Sequence, residues 1–145
     1  SYLREMATYF SALEIPYPPP TAQNADPALL ARGQTLARTG DAALQIPACM
    51  QCHGQALTGV QPATPGLLGL PRDYLNAQLG GWQTGQRKAH APDCMATIAR
   101  RLSDADVHAI TSWLASQKVP MPASPAAHKP PALAGSEPLE CGSAP

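Results

Sequence analysis

Large apolar residues recur at helical spacing in the first 13 residues of the chain. Four side chains form the stripe: Leu3, Met6, Phe10 and Leu13. Pro16 and the three prolines at 18–20 then end the periodicity, because proline breaks a helix and stiffens extended chain. The pattern predicts one helix followed by a stiff linker that ends near residue 25.

Two later stretches combine apolar periodicity with capping residues. Asp26 is a suitable N-cap, Pro27 fits the first helical position and Gly40 fits a C-terminal cap, so a second helix is predicted between them. The segment S-D-A-D at 103–106 is similar to a capping box with Asp in place of Glu. It precedes a helix whose predicted buried stripe is Val107, Ile110 and Leu114.

Two more helices are predicted between these ends, and an extended tail follows them. The helix at 72–83 carries a single predicted face: Tyr74, Leu75, Gln78, Leu79 and Trp82. A short helix covers 94–101. From residue 118 onward, seven prolines and little periodicity predict a tail that is ordered only where it wraps the globule or is pinned. The organisation is therefore 1–25, 26–117 and 118–145.

Composition supports a mostly helical protein. Valine and isoleucine together number only seven, whereas alanine and leucine fill the periodic segments. A net charge of zero and 14% charged residues give no basic or acidic face suited to nucleic acid or an anionic membrane. No run of about 18 apolar residues occurs, so we expect neither a membrane-spanning helix nor a signal peptide in this sequence.

The segment C-M-Q-C-H at 49–53 allows three kinds of chemistry. A zinc site needs four ligands, and these could be Cys49, Cys52, His90 and Cys94. A thioredoxin-like redox pair needs a preceding strand, but a helix and a proline precede these thiols. C-x-x-C-H is also the attachment signature of c-type haem, in which Cys49 and Cys52 form thioethers and His53 binds the iron. The haem interpretation is the most specific of the three.

The spacing suits the shape of the cofactor. The two vinyl groups lie on neighbouring edges of a flat ring, so thiols one helical turn apart reach both of them and the next residue points at the iron. Burial of the large apolar ring also supplies core that a chain of 145 residues otherwise lacks. Because bacteria assemble this linkage outside the cytoplasm, the motif predicts a secreted or periplasmic protein.

The second axial ligand has several candidates. Met95 stands 42 residues after His53, which is enough chain to pass around the haem edge and return on the opposite face. Cys94 is its main rival, because thiolates also bind haem iron, although two consecutive residues cannot both point at one metal. The remaining candidates are less favourably placed: Met121, His90, His108 and His128.

With these residues in place, the chain resembles a class I cytochrome c, and specifically the second half of the tandem di-haem cytochromes of the c-four type. Four blocks carry the resemblance: I-P-A-C-M-Q-C-H-G, P-G-L-L-G-L-P-R-D-Y-L-N-A-Q-L, W-Q-T-G-Q-R and M-A-T-I-A-R-R-L-S-D-A-D-V-H-A-I-T-S-W-L. It implies an all-α class I cytochrome c fold, with about four helices around one covalently bound haem c. An extra N-terminal helix and the proline-rich C-terminal tail lie outside that fold.

The resemblance also assigns roles to single residues. It implies that Met95 binds the iron and that the Pro65 carbonyl accepts a hydrogen bond from His53. Gly33 and Trp113 correspond to the point where the terminal helices of the domain cross. The resemblance further places Tyr74 and Trp82 against the haem or in its pocket, and Arg87 near a propionate.

Residues 1–13 look like the closing helix of a preceding haem domain. The block M-A-T-Y-F-S-A-L is similar to the block that ends at Trp113 and Leu114. The chain departs from the family at Cys94, where a methionine or a small residue is commoner, and in its proline-rich tail. From the similarity of residues 1–13 to a closing helix, we expect a first haem domain of the same protein as a partner.

Two thiols remain once haem attachment has used Cys49 and Cys52. An oxidising compartment favours pairing them, so we predict a disulfide between Cys94 and Cys141. Closing a loop of this length would stabilise the fold by about 4 kcal/mol on chain-entropy grounds. The bond would hold the tail over the methionine side of the haem.

The predicted function is one-electron transfer in the periplasm, with His53 and Met95 as axial ligands and with redox proteins as donor and acceptor. Methionine ligation places the potential on the oxidising side, as suits electron flow towards a terminal oxidase or reductase of a respiratory chain. Any association with the inner membrane would pass through these partners. The alternative is a haem domain of a periplasmic oxidoreductase complex, such as a thiosulfate- or alcohol-oxidising one, that either relays electrons or uses Cys94 at the iron in catalysis. A gas sensor with a labile sixth ligand is a third hypothesis.

Overall fold

Six helices and one two-stranded sheet make up the part of the chain that the structure describes, residues 1–13, 16–20, 25–132 and 139–143. The structure is a computed structural model. The helices are α1 (Tyr2–Ser11), α2 (Pro27–Arg38), α3 (Cys49–His53), α4 (Arg72–Gln83), α5 (Cys94–Arg101) and α6 (Asp104–Ala115). The antiparallel strands are β1 (Gly59–Val60) and β2 (Thr64–Pro65). The helical fold class is confirmed, and the hairpin is an addition to it.

Side-chain caps fix the starts of α2 and α6, the two helices for which the sequence predicts them. The Asp26 carboxylate accepts a hydrogen bond from the Ala28 N–H at 3.0 Å. Ser103 and Asp106 form a reciprocal capping box at the start of α6. The short helix α5 has its own cap, because Asp93 accepts from the Ala96 N–H at 2.9 Å. Met95 is therefore in the first turn of a well-capped helix.

The core forms where α2 crosses α6. Gly33 is buried at the crossing, and a Cβ atom built on it would lie 2.2 Å from the Ala109 carbonyl oxygen and 2.7 Å from Cβ of Trp113. Leu36 and Ala37 continue the buried face of α2. The helix–helix contact implied at Gly33 and Trp113 is present in the structure, and it requires a residue without a side chain.

One arginine ties three parts of the domain together. Arg32 on α2 donates from Nε to Asp106 at 2.8 Å and from Nη1 to Asp41 at 2.9 Å. Asp106 is 7% exposed. Burial opposes its ionisation, but the hydrogen bonds from Arg32 and Ser103 outweigh that effect and lower the pKa of Asp106 below its ordinary 3.8. Asp106 is therefore a charged group that stabilises the crossing.

We expect Asp106→Asn to lower the free energy of unfolding at neutral pH by about 2 kcal/mol, the usual size of a charge-assisted hydrogen bond. A depressed native pKa stabilises the fold fully above the unfolded value of 3.8 and loses that stabilisation as pH falls through the native value. The difference between wild type and variant should therefore shrink on acidification. Urea titrations at several pH values measure it, with Asp104→Asn as the exposed control in the same helical turn. A difference independent of pH would contradict this assignment.

The tail packs on the domain in the region the structure describes. Ala126 forms a bridge beside β1, donating to the Gly59 carbonyl at 2.9 Å and accepting from the Gln61 N–H at 2.8 Å. Thr58 donates to the Ser124 carbonyl at 3.1 Å. The sequence predicts that the tail is ordered only where it contacts the domain, and these hydrogen bonds are such contacts.

Helix α1 has a different environment from the other helices. None of its residues is buried, and its large apolar side chains are exposed, including Leu3 at 76% and Phe10 at 63%. Among the described elements, no helix or strand packs against it. Its origin in a preceding haem domain stays a prediction. None of the helices described is both long and apolar enough to cross a membrane.

Candidate cofactor attachment site

Helix α3 presents the C-x-x-C-H segment in a single short turn. It packs against α2 and against the hairpin, and Cys49 Sγ lies 4.0 Å from the Leu36 carbonyl oxygen. Cys49 and Cys52 are half-buried and are not bonded to each other. The two thiols are therefore available for covalent attachment of a group that lies against this helix.

His53 is held in one protonation state and one orientation. The side chain is 7% exposed, and its Nδ1 lies 2.7 Å from the Pro65 carbonyl oxygen. A carbonyl oxygen only accepts, so Nδ1 carries the proton and Nε2 keeps a free lone pair. Burial lowers the pKa of His53, which outweighs the opposing effect of this hydrogen bond. The imidazole is thus neutral and oriented as a metal ligand requires.

The cysteine environment argues against nucleophilic or redox chemistry at the motif. Burial raises the pKa of the Cys49 thiol to about 11, and burial also raises the pKa of Cys52. Reactive thiols of thioredoxin-like sites have lowered pKa values, because only the thiolate attacks. The thioredoxin-like interpretation therefore has no support in this site.

The zinc hypothesis is wrong. Cys94 is bonded to Cys141, so it cannot complete a site with Cys49, Cys52 and His90. Within the described ranges, no group of three or more His, Cys, Asp or Glu side chains could hold a metal ion. A metal bound here would need to arrive inside a cofactor that brings most of its own ligands, as a porphyrin does.

Trp82 and Arg87 provide a test of whether such a cofactor fits. The Trp82 Nε1–H is buried without a hydrogen-bond partner among the described residues. The Arg87 guanidinium lies 4.4 Å from the centre of the Trp82 ring and donates to Gln78. A buried donor next to an arginine suits a carboxylate such as a haem propionate. The site chemistry fits a covalently bound haem, and the individual roles of Trp82 and Arg87 stay predictions.

Met95 is half-buried in the first turn of α5, directly after a disulfide-bonded cysteine. The predicted Cys94–Cys141 bond is present, with the two Cα atoms 5.1 Å apart. A cysteine in a disulfide has no thiolate, so the proposal that Cys94 binds the iron is wrong for this oxidised form. The other candidates are exposed: Met121, His90, His108 and His128. Met95 stays the predicted ligand.

Tyr74 is more exposed than the other residues of the helical face predicted for α4. Leu75 is buried at 6% exposure, but Tyr74 is 48% exposed on α4. Consecutive residues of a helix point about 100° apart. The side of α4 that packs against the core therefore carries Leu75 and not Tyr74. The face predicted from the sequence contains both residues, and the structure buries Leu75 but leaves Tyr74 exposed. A contact between Tyr74 and a bound haem stays a prediction.

Lys129 is a neighbour of the motif that sequence analysis missed. It lies close enough to Cys52 for its charge to offset part of the effect of burial on that thiol. The two residues are separated by 77 positions, the difference of their numbers, and the tail that carries Lys129 shows no periodicity. No signal in the sequence could have placed them together.

Comparison with known proteins gives a consistent result. A family model described as cytochrome c matches residues 30–118. A thiosulfate dehydrogenase electron acceptor of Thiomonas intermedia (strain K12) is 39% identical over 115 residues, which cover 77% of this chain and 51% of that protein. A cytochrome c4 of Azotobacter vinelandii is 36% identical over 114 residues, which cover 77% of this chain and 52% of that protein.

A solved structure has the same architecture. Thiosulfate dehydrogenase (TsdBA) of Marichromatium purpuratum, in its as-isolated form, matches with a TM-score of 0.67 and 33% identity. The match covers 76% of this chain and 23% of that one. The chain spans about half the length of the two relatives described above. These matches confirm the resemblance and the fold class predicted from the sequence.

Proposed function

The chain belongs to the cytochrome c family, and from this premise we propose that it is a periplasmic one-electron carrier with a single haem c. The observation that carries the proposal is a buried His53, whose Nδ1 is held by the Pro65 carbonyl, next to two thiols at the attachment spacing. Membership of the family implies that the cofactor is haem c, and these residues are placed to hold it.

The residues divide the work of holding the cofactor. Cys49 and Cys52 would form the two thioethers, which would keep it attached in both oxidation states. His53 would hold the iron through Nε2, and Met95 would be the second protein ligand. The haem supplies an iron that changes between the ferric and ferrous states. With His53 and Met95 both holding the iron, no position would be left for a substrate, so the bound haem would transfer charge without bond chemistry.

The proposed electron donor is a thiosulfate dehydrogenase. Two observations support this donor over other periplasmic enzymes. One relative is named as an electron acceptor of such an enzyme, and one structural match is a thiosulfate dehydrogenase itself. A preceding haem domain is a second proposed partner. It is supported by the exposed apolar side chains of α1 and by the greater length of the relatives.

Anaerobic mixing experiments test the carrier role and the donor separately. The oxidised protein should be reduced when thiosulfate dehydrogenase and thiosulfate are both present, and should take up one electron per haem. Thiosulfate alone and enzyme alone are the controls, and both should leave the haem ferric. Haem absorbance measures the reduction.

Two outcomes would contradict the proposal in different ways. Consumption of thiosulfate by this protein alone, with an artificial acceptor, would make it an enzyme. A haem that stays ferric with the complete mixture, but is reduced by other periplasmic donors, would remove thiosulfate dehydrogenase as the donor and leave the carrier role intact.

A further inference from the structure

The C-terminal tail is anchored to the domain in each of its two described parts, residues 118–132 and 139–143. The first anchor is Ala126, which exchanges two backbone hydrogen bonds with the segment around β1. The second anchor is Cys141, bonded to Cys94, together with a hydrogen bond of 2.9 Å from the Gly142 N–H to the Pro92 carbonyl. The tail therefore connects two regions that no other described element joins directly.

The first anchor is linked to His53 through the β1–β2 hairpin. Ala126 bonds to Gly59, and Gly59 is the register partner of Pro65 across the hairpin. The Pro65 carbonyl in turn holds His53. The tail thus pairs with the outer edge of the strand pair that orients the proximal ligand.

The second anchor lies beside the methionine. Cys94 directly precedes Met95, and all residues from 86 to 92 before them are exposed. Gly142 fits so closely against this segment that a Cβ atom built on it would lie 2.2 Å from the Ala91 carbonyl oxygen. The Ser143 hydroxyl accepts from the His90 N–H at 3.0 Å. The tail supplies packing that this exposed segment does not obtain from the core.

We propose that the tail is a clamp that joins the two axial sides of the haem, and that the Cys94–Cys141 bond positions Met95 at the iron. The inference rests on the proposed function, because it takes His53 and Met95 as the ligands. The bond closes a loop with a sequence separation of 47. Closing a loop of that size restricts an unfolded or locally opened chain, so the bond opposes movement of Met95 away from the site.

Competition with an added ligand tests the clamp in the full-length holoprotein. The double variant Cys94→Ser with Cys141→Ser removes the bond without leaving a thiol that could bind iron. We expect imidazole to displace the methionine at about tenfold lower concentration than in wild type, a change equal to about 1.4 kcal/mol. The weak far-red band of methionine-bound ferric haem measures displacement, and carbon monoxide binding to the ferrous form should become about tenfold faster.

A second variant separates positioning from general destabilisation. Asp106→Asn weakens the fold but keeps the disulfide, so its imidazole midpoint should stay at the wild-type value. Far-UV circular dichroism shows whether each variant is folded under the conditions used. A double variant with the wild-type midpoint and carbon monoxide rate would overturn the clamp and leave the proposed function standing. A wild-type protein without the far-red band would overturn the axial pair, and the clamp with it.

Discussion

The Met95→His variant should have a reduction potential on the order of 0.2 V below wild type, a sizeable part of the ~0.8 V range over which axial ligands set haem potentials. Thioether sulfur favours ferrous iron, whereas a second imidazole favours ferric iron. Met95 is half-buried in the first turn of α5, where Asp93 caps the helix and Cys94 is bonded to the tail. The backbone at this position is therefore fixed from both sides, and the substitution changes the ligand more than the fold.

Spectroelectrochemical titration measures the potential, and loss of the far-red band reports the change of ligand independently. Met50→Leu is the matched control, because Met50 lies inside the attachment motif and packs against the apolar core. It should leave the band intact and the potential close to wild type. A Met95→His protein with an unchanged potential and an intact band would show that another residue binds the iron, and the electron-carrier account would need a different sixth ligand.

Gly33→Ala should lower the free energy of unfolding by about 3 kcal/mol, the upper end of the usual cost of overpacking. The added methyl group would lie 2.2 Å from the Ala109 carbonyl oxygen, so α2 and α6 must move apart. That movement would loosen Trp113, which is 6% exposed at the same crossing. The intrinsic preference of helices for alanine over glycine, about 1 kcal/mol, acts in the opposite direction and is too small to compensate.

Gly80→Ala is the matched control for this effect. Gly80 is also inside a helix, but a Cβ atom built there meets nothing within 4 Å. Helix propensity should then act alone and raise the free energy of unfolding by up to about 1 kcal/mol. Chemical denaturation of the two holoproteins, followed by far-UV circular dichroism, measures both changes. Equal effects in the two variants would contradict the close approach at Gly33.

The sequence predicts features that depend on short stretches of chain. Asp26 and Ser103 fix the starts of two helices through contacts with residues two or three positions away, and both caps are present. The two thiols and His53 of the C-x-x-C-H motif lie within about one helical turn. Local chemistry therefore accounts for the motif lying on a helix that ends at His53. The cysteine pairing was predictable for a different reason, because a count of four thiols with two used at the haem leaves one pair.

Contacts between distant, non-periodic segments could not be predicted in this way. The bridge between Val60 and Ala126 and the proximity of Lys129 to Cys52 depend on the path of the tail, which carries no hydrophobic pattern. Tyr74 shows the limit of periodicity within a helix. It belongs to the apolar face by spacing, but its position relative to the core is decided by how α4 packs against α5 and α6.

The mass of the intact chain in denaturant shows whether one haem is covalently bound through Cys49 and Cys52. We expect the mass of the polypeptide plus one haem, less two hydrogens for the Cys94–Cys141 bond. Replacing Cys49 and Cys52 with alanine should remove the haem from the denatured chain. A correctly matured protein with the mass of the polypeptide alone, or with pigment that acidified acetone extracts, would show that no haem is covalently bound.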